Sequence, residues 1–120
     1  MNDHRKISIL GTEYEVRLKV DPKEDSGLDN RFGYCDYQLK LIVIGDLSKL
    51  ETWESETEEA YSDQNRKTFR HEIIHAFLHE SGLHGSSLHA GAWAMNEEMV
   101  DWFALQLPKI VKAFKEVDAL

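Results

Sequence analysis

Apolar and polar residues alternate along the first part of the chain. Ile7 and Ile9 alternate with polar neighbours between Lys6 and Leu10, and Gly11-Thr12 marks a turn. Tyr14, Val16, Leu18 and Val20 follow at period two, with Glu13, Glu15, Arg17 and Lys19 on the opposite face. Period two is the repeat of a half-buried strand, so the pattern predicts a hairpin that Asp21-Pro22 ends. Lys23 to Arg31 is rich in Asp, Ser, Gly and Asn and reads as a loop. Phe32 to Ile44 offers one or two further strands. The clearest, Leu39 to Ile44, is nearly continuous in apolar residues, which predicts cover on both faces before Gly45-Asp46 closes it.

Further on, the spacing changes. Asp46 to Asp63 is acidic and reads as a solvated loop leading into a helix, with Ser55-x-x-Glu58 as one possible capping box. A helix is expected from about Gln64 through Glu80, stopped by Ser81-Gly82. Leu83 to Gly91 is a loop, and a second helix runs from about Ala92 to Leu107. Pro108 breaks or restarts it, and Ile110, Val111, Phe114 and Val117 predict a final amphipathic helix. Strands followed by helices indicate an α+β fold.

Composition narrows the setting. A length of 120 residues, 42% hydrophobic and 30% charged, fits one globular domain over residues 1–120. No apolar run is long enough to span a bilayer, and the N-terminus leads into a strand instead of an apolar signal core. Cys35 is the only cysteine, which excludes an intrachain disulfide and points to a reducing cytoplasm. A formal net charge of −8 argues against non-specific nucleic-acid binding.

The candidate chemistry lies in the first predicted helix, where His71-Glu72-Ile73-Ile74-His75 is a complete H-E-x-x-H motif. Four residues advance a helix by about 6 Å and rotate it by about 40°. Two imidazoles so spaced point the same way and can grip one metal ion, while Glu72 projects beside them where it can take a proton from a metal-bound water. Such a site needs a third ligand. The candidates are His79, Glu80, His84, His89, Glu97 and Glu98. The extended motif H-E-x-x-H-x-x-G-x-x-H fails, because Leu78 and Ser81 occupy its glycine and third histidine. Glu97 lies instead on an apolar stripe with Trp93, Val100, Ala104 and Leu107. A carboxylate facing a core is costly unless it is paired or bound to metal. Asp101, one turn on, could accept a hydrogen bond from the far nitrogen of a ligand histidine. Glu98 points away by about 100°.

Asn96-Glu97-Glu98-Met99-Val100-Asp101 also matches the N-E-x-x-x-D pattern that follows H-E-x-x-H in gluzincin metallopeptidases, the thermolysin-like clan. The run from Arg70 to Gly82 resembles the minigluzincins, small phage and bacterial domains of this length, and is similar to ImmA/IrrE-type peptidases. The likeness covers roughly Thr68 to Leu107. It implies a minimal zincin-like fold: a small antiparallel or mixed sheet, a metal-binding helix, a glutamate helix and a C-terminal helix. It further implies a zinc-dependent endopeptidase acting on peptides or proteins, with His71, His75 and Glu97 as Zn2+ ligands and Glu72 as general base and acid. Extended substrates pair with the edge strand in such folds, and Leu39 to Ile44 is the candidate edge. Larger members also carry a downstream His or Tyr that steadies the oxyanion, and no residue here matches it.

Other readings stay open. His79, His84 and His89 read as ordinary polar residues, although His84 or His89 could line the site. Cys35 reads as a small buried hydrophobe, with the alternative that Cys35 or Asp36 reaches the metal and keeps an enzyme latent. Trp53, Trp93 and Trp102 read as packing anchors. The competing function is a metal-stabilised binding or regulatory module with little turnover.

Overall fold

A computed structural model describes residues 3–49, 57–85 and 92–120. Four strands form one mixed sheet: β1 (Asp3–Ile9), β2 (Thr12–Val20), β3 (Gly33–Asp36) and β4 (Leu41–Gly45). Two helices follow, α1 (Glu58–Glu80) and α2 (Glu97–Glu116). The α+β architecture is therefore as the hydrophobic pattern predicts.

β1 and β2 form the expected antiparallel hairpin, with Ile9 opposite Thr12. Its two-residue turn holds Leu10 at φ 50° and Gly11 at φ 88°. Positive φ at both central positions matches the right-handed twist of the flanking strands. Beyond Arg17 the alternation breaks. The pairing register shifts between Arg17 and Val20, and Lys19 takes φ 57°. Val20 is thereby carried away from the face of Tyr14 and Val16 and packs in a second cluster.

The strand order is β1-β2-β4-β3. β4 runs parallel to β2 and antiparallel to β3. Leu39 to Ile44 is therefore not the sheet edge that the sequence reading assigned to it, because β4 is internal and β3 is the edge on that side. All five β4 residues are buried, which the near-continuous apolar run did predict. Ile42 and Ile44 pack with Ile9, Tyr14, Val16 and Ala76 on the α1 side. Leu41 and Val43 pack with Val20 and Leu28, the latter from the loop that follows β2. Gly33 opens β3 where a side chain has no room: a Cβ there would lie 2.8 Å from the Val43 carbonyl oxygen and 2.9 Å from Thr68 Cγ2. The edge strand is thus pressed against α1.

Helix α1 begins six residues before the expected start. Thr57 is its N-cap, its hydroxyl accepting from the Ala60 N–H at 3.1 Å, and Glu58 and Glu59 sit in the first turn where the helix dipole favours anions. Ser55 lies outside the described residues. The predicted stop holds: Gly82 adopts φ 84°, and the His84 N–H returns to the Leu78 carbonyl. The C-terminal turn is tied to the sheet by Glu80, which accepts hydrogen bonds at 2.7 Å from both Tyr14 Oη and Lys40 Nζ.

The glutamate helix and the C-terminal helix are one element, since Pro108 lies inside α2 without ending it. Proline has no N–H to give the carbonyl four residues back, so Ala104 loses its helical donor. Arg70 supplies another: its Nε donates to the Ala104 oxygen at 2.5 Å. A defect in α2 thereby becomes a clamp onto α1, next to His71. Trp93 and Trp102 are exposed and do not act as packing anchors, and Trp53 lies outside the described residues. No helix among the described residues is long and apolar enough to cross a membrane.

Candidate metal centre

The site is built by α1 and the start of α2. His71 and His75, one turn apart on α1, bring their Nε2 atoms to 3.1 Å. Asn96 caps α2, its side-chain oxygen accepting from the Met99 N–H at 2.8 Å. That cap makes Glu97 the first helical residue and turns it toward α1. Glu97 Oε1 lies 2.5 Å from His75 Nε2 and 3.7 Å from His71 Nε2.

These three donor atoms are placed to hold a metal ion. Metal–ligand bonds of about 2.0–2.1 Å in a tetrahedron separate neighbouring donors by about 3.3 Å. The triangle of 2.5, 3.1 and 3.7 Å brackets that value. Electrostatics agrees. Burial is the main influence on His75 and lowers its pKa, and the adjacent His71 acts in the same direction, so its ring is held neutral against the opposing pull of Glu97. The two ring nitrogens and the carboxylate oxygen converge on one point, where a cation can accept their lone pairs.

Asp101 lies near His71, its Oδ1 3.6 Å from His71 Nδ1, beyond hydrogen-bond length. Lys67 Nζ, 3.3 Å from the same oxygen, steadies it. Glu97 departs from one premise of the sequence reading, because its side chain is 70% exposed and does not face the core. It reaches the histidines from the rim. Glu98 is exposed and stays out of the site.

Glu72 is the buried carboxylate of the group, 7% exposed. Burial, reinforced by the Glu97 charge, pushes its pKa up to about 7, with Arg31 pulling the other way. It lines two cavities, of about 420 and 330 Å3.

Tyr37, in the turn after β3, was not singled out by the sequence reading. Its ring stacks on His79 at 4.4 Å and 10°, and meets His84 at 4.9 Å. Together with His84 it lines the smaller cavity beside Glu72 and His75. Burial is the first cause that raises the Tyr37 pKa, with the charges of Cys35, Glu72 and Glu97 adding to it, so the phenol keeps its proton. Its hydroxyl has no acceptor among the described residues. Nothing in a single Tyr within a turn marks such a role, because the contacts that define it come from α1. His89 lies outside the described residues. Cys35 packs against the core and burial pushes its thiol up to about 12, while Asp36 accepts from the Gln38 and Leu39 N–H groups. Neither belongs to the cluster of metal-ligand atoms.

Comparison of the chain with protein-family models, curated proteins and solved structures gives no match. The geometry of the site therefore carries the functional reading.

Proposed function

We propose that the protein is a zinc-dependent peptidase of the gluzincin type. The observation that carries this reading is the triangle of His71 Nε2, His75 Nε2 and Glu97 Oε1 beside a buried Glu72. Two imidazoles and one carboxylate form a donor set that zinc favours in hydrolytic sites, and a structural site has no use for a fourth group of Glu72's kind. Bound there, zinc would polarise a peptide carbonyl and acidify water enough for it to lose a proton near neutral pH.

The chain's own residues account for the remaining steps. Glu72, with its basicity raised toward neutrality, accepts a proton from the attacking water and returns it to the leaving amine. Tyr37 donates a hydrogen bond to the oxygen that gains negative charge, the part that larger relatives give to a downstream residue. The Asp101 carboxylate, 3.6 Å from His71 Nδ1, favours by its charge the tautomer that leaves Nε2 free. The edge strand β3, three of whose residues line the smaller cavity, pairs with the main chain of an extended peptide. A single cysteine packed in the core fits work in a reducing compartment such as the cytoplasm.

Metal analysis of wild type and Glu97→Ala, purified in parallel without chelator, tests the centre. About one zinc per wild-type chain, lost in the variant, is expected. Wild type without zinc would overturn the reading. Glu72→Gln is expected to keep the metal and abolish peptide hydrolysis, and an active variant would remove Glu72 from its role.

A further inference from the structure

The two cavities beside Glu72 share four lining residues, Arg31, Gly33, Glu72 and Glu97. They are the two ends of one cleft that meets at Glu72 and Glu97, and the ends differ in chemistry. Asn30, Gln64, Lys67 and Thr68 give the larger end polar walls. Tyr34, Cys35, Tyr37 and Met95 give the smaller end an aromatic and polarizable lining. Two cations line the cleft, Lys67 at the larger end and Arg31 at both ends. Lys67 is held by Asp101 at 3.3 Å. Arg31 is exposed, sits just ahead of β3, and its guanidinium makes no hydrogen bond or ion pair among the described residues.

We propose that this cleft selects peptides carrying an acidic side chain beside an aromatic or large apolar one, with Arg31, which lines both ends, pairing with the acid. The inference rests on the peptidase reading and deepens it by naming a substrate class. A guanidinium forks onto a carboxylate through two parallel bonds, which fixes direction as well as charge. The net charge of −8 disfavours acidic peptides at long range. Screening over about 8 Å at physiological ionic strength weakens that repulsion, so the contact cation decides the ranking. The aromatic lining of the smaller end takes the neighbouring side chain through stacking and dispersion.

Peptide binding to the zinc-loaded Glu72→Gln protein, measured by calorimetry, tests the inference without turnover. The probes are acetylated, amidated hexapeptides of alanine with a central Xaa-Tyr or Tyr-Xaa pair, where Xaa is Glu, Gln or Lys. In at least one order the Glu peptide is expected to bind about tenfold more tightly than its Gln counterpart, the worth of one charge-assisted bond. Adding Arg31→Glu is expected to pass the advantage to the Lys peptide. Because the Arg31 side chain has no hydrogen-bond or ion-pair partner among the described residues, this second substitution is expected to leave the fold intact, which thermal unfolding checks. An unchanged ranking in the double variant, or no measurable binding of any peptide, would overturn the proposal. The same peptides given to zinc-loaded wild type separate the two readings. Ranked binding without cleavage supports the acidic preference and removes the peptidase, whereas cleavage indifferent to Xaa keeps the peptidase and removes the preference.

Discussion

The Arg70 clamp offers a thermodynamic test of how α2 is held against α1. Pro108 leaves the Ala104 carbonyl without its helical donor, and Arg70 Nε fills the vacancy at 2.5 Å. Arg70→Met keeps most of the aliphatic stem and removes the donor. In the Pro108 background it breaks a charge-assisted bond and leaves a part-buried oxygen unpaired, a loss of about 2 kcal/mol. In a Pro108→Ala background the same substitution should cost below about 0.5 kcal/mol, because the N–H that alanine restores satisfies the oxygen in the ordinary helical way. The coupling is therefore about 1.5 kcal/mol, or about 6 °C in Tm for a domain of this size. Urea and thermal unfolding of the four proteins, all measured with chelator so that bound metal adds no stability, give the cycle directly. Additivity within about 0.5 kcal/mol would refute the reasoning and reduce the Arg70 contact to an incidental one.

Further expectations concern the site and its frame. Tyr37→Phe should lower kcat by about 100-fold with little change in KM or zinc content, since the lost hydrogen bond forms only as charge develops; unchanged kcat would assign the oxyanion elsewhere. Gly33→Ala should destabilise the chain by about 1–3 kcal/mol, because the added methyl meets the Val43 carbonyl and Thr68, and unfolding in urea reads it. Glu80 gives a pH signature. Its hydrogen bonds from Lys40 and then Tyr14 hold its pKa down at about 2 against an ordinary 4.5. A depressed carboxylate contributes stability that is complete above the unfolded pKa and is lost as pH falls through the folded one. Stability should therefore drop between about pH 4.5 and 2, and Glu80→Gln should flatten that part of the profile; an unaltered slope would remove Glu80 as its source.

Much of the site was legible because it is local. His71, Glu72 and His75 lie within one helical turn and a half, so helical geometry alone sets their common direction. Glu97 was legible from its spacing, but the helix start was not: expected at about Ala92, it falls at Glu97, where Asn96 supplies the cap. The apolar stripe that singled out Glu97 was an incomplete guide, because a stripe on a helix does not reveal where the neighbouring layer ends. Glu97 lies past that limit, at an exposed rim.

By itself, the sequence determined what depends on near neighbours: the hairpin, the covered run of β4, the stop of α1 and the paired histidines. Tertiary structure decided what depends on residues far apart in the chain. The insertion of β4 between β2 and β3 makes β3 the edge, and no periodicity within a strand encodes its neighbours. Pro108 reads locally as a helix breaker, yet a donor 38 positions earlier keeps α2 continuous. Tyr37 and Arg31 are ordinary turn and loop residues until packing sets them beside Glu72. Backbone preferences act over a few residues, whereas burial, shared hydrogen bonds and electric fields act across whatever the fold brings together.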